Sequence, residues 1–224
     1  SFRLKGEGGT IGIFDDKLQL IDSITYPKQF EDISFGRENY SSSNLCYFPV
    51  PTPNQTNNDG LLLPDPQKVP VFSKEGGFNN GRVVVEFSRI KEGKIYFTTD
   101  GTDPVEIKEH LYSTPFQIDS TTVVRARIIA DGWFPGDIIT KTYFVNENST
   151  LPVVSLTTDP KNLWDKSKGI YHKYKKRGWE RPANIEYFDI TEDGSLFPAF
   201  NNKIVIRIAG KTSRRQPKKS FVMH

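Results

Sequence analysis

One stretch decides the fold of this chain: Lys94-Ile95-Tyr96-Phe97-Thr98-Thr99-Asp100-Gly101. A short apolar and aromatic run that stops at an Asp-Gly pair is typical of a strand followed by a tight turn. The predicted strand is Lys94 to Thr98, and three further candidates have similar lengths: Arg82 to Phe87, Thr122 to Ile129 and Ile138 to Val145. Strands at this regular spacing, without a helical period, predict a small β-sandwich.

The turn after this strand, Asp100-Gly101-Thr102-Asp103, has two interpretations. Its carboxylates could bind Ca²⁺, but a calcium site needs about 6–8 oxygen ligands and the EF-hand pattern is absent. Aspartate and glycine are also the residues that a tight hairpin turn requires, because the carboxylate accepts local backbone hydrogen bonds. The turn is the favoured interpretation.

Residues 1–57 continue the β pattern on the N-terminal side. Thr10 to Phe14 and Leu18 to Tyr26 alternate around Asp15-Asp16, as the strands of a hairpin do. Phe2 to Lys5 also has the pattern of a strand. The glycines at positions 6, 8, 9 and 12 favour a turn over a phosphate loop, because the residues after them have the pattern of a strand and not of a helix.

Proline and polar residues predict a linker at residues 58–70, and the β-sandwich then spans residues 71–147. Residues 148–224 change character. Asp159-Pro160 predicts an N-cap followed by one or two helical turns over Lys161 to Asp165. Further strands are predicted at Pro152 to Thr157, Ile185 to Phe188, Lys203 to Ile208 and Ser220 to Met223.

The composition is that of a folded protein with many turns, with 36% hydrophobic residues, 12% aromatics, 17 glycines and 15 prolines. It excludes a disordered chain, and no apolar run approaches the ~18 residues that a membrane-spanning helix needs. Cys46 is the single cysteine, which excludes an internal disulfide framework and a multi-cysteine zinc site. The three histidines are scattered without ligand spacing, so no metal site is predicted.

Charge is distributed unevenly along the chain, whose net charge is +3. Residues 1–150 hold 15 Lys and Arg against 20 Asp and Glu, which gives −5, whereas residues 151–224 hold 15 against 7, which gives +8. This split indicates modules with different partners, the second of which favours anions.

Two basic segments account for most of the positive charge. His172 to Arg177 interleaves cations with aromatics, as a nucleic-acid surface would, but the run has no accompanying recognition motif and a solvated loop is favoured. Lys211 to Lys219 places five cations in nine positions before an apolar strand. A lysine entering a strand beside a glycine turn can reach nucleotide phosphates, and a plain basic hairpin is equally compatible with the residues.

Trp133 is the candidate for a carbohydrate site. With Phe134, it follows the turn Asp131-Gly132 and could form a platform for sugar rings. The alternative is an aromatic residue that covers the end of the sandwich core, which is the commoner role of such a residue.

Three segments resemble known families, the first two of which are β domains. Residues 1–57 look like the C-terminal half of a bacterial lamin-tail domain, through Phe2-Arg3-Leu4, Gly9 to Phe14, Leu20 to Tyr26, Asp32 to Arg37 and Pro51 to Asn54. Residues 71–147 resemble the chitobiase/β-hexosaminidase C-terminal domain, through Phe72-Ser73, Gly76-Gly77-Phe78, Ile95 to Pro104, Thr122 to Arg127, Asp131-Gly132 and Thr142 to Phe144. These resemblances imply an immunoglobulin-like sandwich and a fibronectin III-like sandwich.

Residues 148–224 are similar to the start of the CotH (spore coat protein H) kinase family. The matching residues are Leu151 to Leu156, Asn162 to Asp165, Gly169 to Tyr171, Trp179 to Ala183, Gly194, Ile206 to Gly210 and Arg214 to Phe221. This resemblance implies that Lys219 or Lys218 binds nucleotide phosphate, with Arg214 nearby. ATP and Mg²⁺ are implied for a full-length kinase only, and no cofactor is expected in this chain.

The expected fold class is therefore mainly β, with immunoglobulin/fibronectin III-like β-sandwiches followed by a partial α+β kinase-like N-terminal lobe. No catalytic residue is predicted. Phosphoryl transfer needs a carboxylate that accepts the proton of the attacking hydroxyl, and in kinases this residue lies after the phosphate-binding lysine in the sequence. The chain as given is therefore expected not to be an enzyme.

The resemblances imply a fragment of a secreted or cell-surface bacterial protein, with a signal expected upstream of Ser1. The full-length protein is either an atypical kinase or an adhesion or glycan-binding protein with a kinase-like scaffold. Polysaccharide or cell-envelope proteins are the expected partners, without specific nucleic acid or a membrane span.

Overall fold

The structure is a computed structural model, and it describes four ranges of the chain: 4–30, 32–57, 59–63 and 69–224. It is mainly β, with 41% strand and 5% helix, which confirms the predicted fold class at that level. Within the described ranges, no helix has the length and apolar character that crossing a membrane requires. The chain divides into two compact units: unit 1 comprises Ser1–Lys68 and Ile129–Gly136, and unit 2 comprises Val69–Ile128 and Asp137–His224.

Unit 1 contains two small antiparallel sheets. Its strands are β1 (Gly9–Phe14), β2 (Leu20–Tyr26), β3 (Ser34–Arg37), β4 (Leu45–Phe48) and β5 (Leu61–Leu62). β1 and β2 form the predicted hairpin, and Asp15 builds its turn by accepting hydrogen bonds from the backbone N–H groups of Lys17 and Gln19. β4 lies between β3 and β5. The strand predicted at Phe2 to Lys5 is absent at Leu4 and Lys5, and its first two residues lie outside the described residues.

Part of the predicted linker is a strand, since β5 pairs with β4. Two adjacent leucines bury apolar surface when they join a sheet, which opposes the loop preference of the flanking Asn, Gly and Pro residues. Residues 58 and 64–68 of that linker lie outside the described residues. The stretch Ile129–Gly136, predicted as part of the sandwich, belongs to unit 1, where Leu62 N–H donates to the Gly132 carbonyl (2.9 Å) and Phe134 N–H to the Leu62 carbonyl (2.8 Å).

A β-sandwich forms the first part of unit 2. Its strands are β6 (Gly77–Asn79), β7 (Val83–Val85), β8 (Lys94–Thr98), β9 (Phe116–Ile118), β10 (Thr122–Ile129) and β11 (Ile139–Val145). One sheet has the order β6-β11-β10-β8 and the other pairs β7 with β9. Val124, Ala126 and Ile128 alternate along β10 into the core, where they meet Val83 and Val85 of the second sheet. The predicted β8 and β10 are confirmed with their boundaries.

An antiparallel sheet with one short helix forms the rest of unit 2. Its elements are β12 (Val153–Thr157), α1 (Pro160–Trp164), β13 (Arg181–Ile190), β14 (Leu196–Ile208) and β15 (Phe221–Met223). The strands pair in chain order, and we call them the terminal sheet. Asp159 caps α1 as predicted, because its Oδ1 accepts from Lys161 N–H at 2.8 Å. The helical content here is α1 and a three-residue 3₁₀ helix, Ser213–Arg215, so the structure does not show the α+β kinase-like lobe that the resemblance implied.

An aromatic contact joins the terminal sheet to the sandwich within unit 2. Phe188 of β13 is 1% exposed, and its ring lies edge-on to Phe144 (5.3 Å between centroids) and Phe78 (5.9 Å). Phe78 and Phe144 stack on each other at 4.3 Å. The sandwich therefore covers the apolar face of β13 near its C-terminal end.

Beside this contact lies a buried carboxylate, that of Glu186, which is 3% exposed. Its Oε1 accepts hydrogen bonds from Thr142 N–H (3.0 Å) and Asn201 Nδ2 (3.4 Å), and its Oε2 accepts from the Thr142 hydroxyl. Burial raises the pKa of Glu186 above its usual value, while the hydrogen bonds from Thr142 and the charge of Lys141 oppose that rise. The carboxylate is thus a polar tie between β13 and β11.

A second polar tie involves the Asp-Gly turn after β8. Asp100 Oδ1 accepts from the N–H (3.0 Å) and hydroxyl (2.6 Å) of Thr102, which holds the pKa of Asp100 below its usual value. Asp103 pairs with the buried Arg125, and its N–H donates to Asp159 Oδ2 at 2.9 Å. The turn therefore fixes the N-terminus of α1 against the sandwich.

Candidate anion-binding site

Both basic segments lie at one end of the terminal sheet. Residues 166–180 lead into β13 at Arg181, which pairs with Ile206 near the end of β14. Residues 209–220 connect Ile208 of β14 to Phe221 of β15, its pairing partner. Because β13, β14 and β15 are antiparallel neighbours, the two loops lie next to each other at the same end of the sheet.

A pocket of about 260 Å³ lies between the two loops. We call it the basic pocket, and it is lined by Tyr174, Lys175, Arg177, Gly210, Lys211, Arg214 and Arg215. Every charged residue in this lining is a cation. Five positive charges around one concave surface create a potential that attracts anions, above all those with several charges.

The first loop is held in place by hydrogen bonds and stacking. Trp179 Nε1 and Arg181 Nε both donate to the Lys168 carbonyl at 2.9 Å. The Arg181 guanidinium and the Lys176 ammonium lie over the Trp179 ring, at 4.2 and 4.3 Å from its centroid. These contacts bring the loop back toward the sheet, and they give Lys175 and Arg177 a defined position.

A compact turn begins this loop at Asp165. The carboxylate accepts hydrogen bonds from the Ser167 hydroxyl and from the backbone N–H groups of Ser167 and Lys168. These bonds, led by the hydroxyl, lower the pKa of Asp165 to about 2. The carboxylate of Asp165 therefore accepts its hydrogen bonds from residues of its own turn.

The second loop depends on Gly210, whose φ is +89°. A Cβ atom at this position would meet the Ser213 hydroxyl, which would have to rotate away. A residue with a side chain would be strained here by its backbone conformation. Glycine thus permits the turn that leads Lys211 and Arg215 to the rim of the pocket.

Lys219 is placed differently from what the resemblance implied. Its Nζ donates to the Arg214 carbonyl at 2.5 Å and lies 4.7 Å from the centroid of the Tyr174 ring. The residue is half-buried and is outside the pocket lining. Lys219 therefore connects the two loops without lining the pocket.

The other two residues of the predicted phosphate site, Arg214 and Lys218, lie in different places. Arg214 lines the pocket, and its Nη2 donates to the Lys176 carbonyl at 3.0 Å, a second link between the loops. Its Nε is buried and has no acceptor among the described residues. Lys218 is exposed and does not line the pocket. Sequence reasoning missed Lys175, Arg177, Lys211 and Arg215 as a group, and the pairing of β13 with β14 is the signal that would have brought them together.

The predicted carbohydrate residue, Trp133, lies in unit 1 and is half-buried. Its backbone bridges to Leu62, and Trp133 N–H donates to the Ala130 carbonyl at 3.1 Å. Its neighbour Phe134 packs on Tyr47 (4.4 Å between centroids) and Phe30 (4.9 Å). The role of Trp133 in sugar binding stays a prediction.

Comparison with known proteins identifies one similarity. The family model described as "Fn3 associated" matches residues 83–143, which carry strands β7 to β11 of the sandwich. The match and the observed sheets together support an Fn3-associated β-sandwich domain in this part of the chain. No curated protein and no solved structure matches the chain significantly.

Proposed function

We propose that this chain belongs to a secreted or cell-surface multidomain protein of the CotH kinase type, and that its basic pocket binds the phosphate groups of a nucleotide without turning it over. The proposal draws on the resemblance of residues 148–224 to the CotH family. The residues that carry this resemblance lie in the terminal sheet, in α1 and in the loops between these elements. In this proposal, the Fn3-associated sandwich supports the sheet that presents the pocket.

The observation that carries the proposal is the lining of the basic pocket. Its guanidinium and ammonium groups are donors that fit phosphate oxygens, and arginine can bind them in a bidentate manner. The Nε of Arg214 is buried and offers no surface to a ligand, so the exposed cations of the lining carry the proposal.

The same lining does not fit Mg²⁺, which prefers carboxylate, phosphate and water oxygens. The charged groups around the pocket are all cations, and phosphoryl transfer needs a proton acceptor for the attacking hydroxyl. Binding is therefore proposed not to require magnesium and to stop short of catalysis.

Calorimetric titration with ATP tests this function. We expect weak binding at low ionic strength that fades above ~0.1 M salt, where charges more than about 10 Å apart are screened. Binding is expected without Mg²⁺, and added Mg²⁺ should weaken it, because the ion binds the phosphate oxygens of ATP and cancels part of their charge. No ATP hydrolysis above the blank is expected. The absence of any binding at low salt, or measurable hydrolysis by the purified chain, would contradict the proposal.

A further inference from the structure

We infer that the basic pocket recognises the phosphate chain alone, through Lys175, Arg177, Lys211 and Arg215, and that Lys219 is a positioning residue that does not touch the ligand. This inference rests on the proposed function, since it names the ligand chemistry and the contacts of the same pocket. It assigns direct contact to residues that the resemblance did not indicate.

The size of the pocket argues for the phosphate chain. Its volume of about 260 Å³ lies below the ~300–1,000 Å³ of most ligand pockets, so it suits a compact polyanion better than a whole nucleotide. Tyr174 is the single aromatic residue in the lining, and the Lys219 ammonium already lies over its ring, at 4.7 Å from the centroid. That face of the ring is thus used within the protein, and we expect the base of a nucleotide to contribute little.

The geometry of Lys219 argues for positioning. Its ammonium lies between the Arg214 carbonyl, at 2.5 Å, and the rings of Tyr174 and Tyr171, at 4.7 and 5.9 Å. A charge-assisted hydrogen bond and two ring contacts hold it in a half-buried place. To reach a ligand in the pocket, the ammonium would have to leave these partners. While it stays, it fixes Tyr174 and the 209–220 loop in the arrangement that forms the pocket.

Lysine acetylation followed by mass spectrometry separates ligand contact from positioning. Without ligand, we expect Lys175, Lys211 and Lys218 to react readily, because all three are exposed, and Lys219 to react slowly. Saturating inorganic tripolyphosphate is expected to protect Lys175 and Lys211 by about tenfold, as a charge-assisted contact would. Lys218, which neighbours Lys219 but lies outside the lining, is the internal control and should stay reactive.

Two variants of Lys219 complete the test. Lys219→Arg keeps a donor for the Arg214 carbonyl and a cation for the tyrosine rings, so it should retain tripolyphosphate affinity. Lys219→Met removes both, and we expect it to lower the affinity and to make Lys175 and Lys211 lose their ligand protection together. ATP and tripolyphosphate should bind the wild-type chain with similar affinity.

The outcomes distinguish failure of this inference from failure of the proposed function on which it rests. If neither ATP nor tripolyphosphate binds at low salt, the proposed function fails. If tripolyphosphate binds but protects Lys219 or leaves Lys175 and Lys211 reactive, the function stands and the assignment of contacts is overturned. ATP binding more than about tenfold tighter than tripolyphosphate, equivalent to one added contact, would overturn recognition of the phosphate chain alone.

Discussion

Replacing Phe188 with alanine is expected to lower the free energy of unfolding of unit 2 by about 3–5 kcal/mol, the usual cost of truncating a buried phenylalanine. The ring is 1% exposed and contacts both Phe78 and Phe144 of the sandwich. Its loss leaves a cavity between two rigid sheets, which cannot close by local relaxation. Urea denaturation monitored by tryptophan fluorescence measures the effect, with Trp164 and Trp179 reporting on unit 2.

Phe200→Ala is the matched control for this variant. Phe200 lies on the neighbouring strand β14 and is 44% exposed, and its ring stacks on Tyr187 at 5.3 Å. Loss of that exposed stack should cost about 1 kcal/mol. Equal destabilisation by the two variants would show that the terminal sheet does not depend on the sandwich for its packing.

Substitution of Glu186 is expected to have the second largest effect. Glu186→Ala removes the acceptor of the Thr142 N–H and leaves that buried donor unsatisfied, whereas the Thr142 hydroxyl keeps Ser155 Oγ at 2.7 Å as a partner. A loss of about 1–3 kcal/mol in the free energy of unfolding is expected, the penalty for orphaning a buried polar group. Glu186→Gln should cost less at neutral pH, because the amide keeps one carbonyl acceptor and carries no buried charge.

The pH dependence of these variants follows from the raised pKa of Glu186. In a folded state with a raised pKa, the protonated carboxyl stabilises the protein fully below its ordinary value of 4.5, and this contribution is lost as the pH rises through the raised value. Glutamine cannot ionise. The stability of Glu186→Gln relative to the wild type should therefore increase as the pH rises above 4.5.

Other titrating groups near Glu186 are shared by wild type and variant. Lys141 lowers the pKa of Glu186 and Glu75 raises it, and both remain in the glutamine variant. The difference between the two stability curves thus isolates the carboxyl group. A difference that stays constant from pH 4 to pH 8 would mean that folding does not raise the pKa of Glu186.

The parts of the fold that the sequence predicts best are those with local patterns. β8 is a short apolar and aromatic run that ends at an Asp-Gly turn, and β10 places Val124, Ala126 and Ile128 at alternate positions; the boundaries of both strands agree with the structure. The N-cap at Asp159 is equally local, since an aspartate before proline defines it. These features depend only on residues that are close together in the chain, so a single sequence is enough to predict them.

Features that depend on distant pairing could not be predicted in the same way. β14 extends from Leu196 to Ile208 and includes Pro198, Asn201 and Asn202, which favour loops, because β13 pairs along nearly its whole length. β5 forms in the predicted linker for a similar reason, through its pairing with β4. In both cases tertiary contacts outweigh local preference.

The candidate site shows the same division. The two basic segments are evident in the sequence, but their meeting depends on the register of β13, β14 and β15. The direction of Lys219 depends on Tyr174 and on the Arg214 carbonyl, neither of which has a sequence signal. Resemblance to a family indicated residues of the 209–220 loop and gave no information on which cations line the pocket.

One titration tests the central claim, that the basic pocket and not the general positive charge binds phosphate. Tripolyphosphate is titrated at low salt into three proteins: the wild type, the pocket variant Arg177→Ala/Lys211→Ala, and the control variant Lys166→Ala/Lys218→Ala. Both double variants lose two positive charges, and the control residues are exposed and lie outside the lining. We expect the pocket variant to lose about 10–100-fold in affinity, as two charge-assisted contacts would, and the control to lose at most about threefold. Equal losses in the two variants would show a diffuse basic surface and would contradict the account.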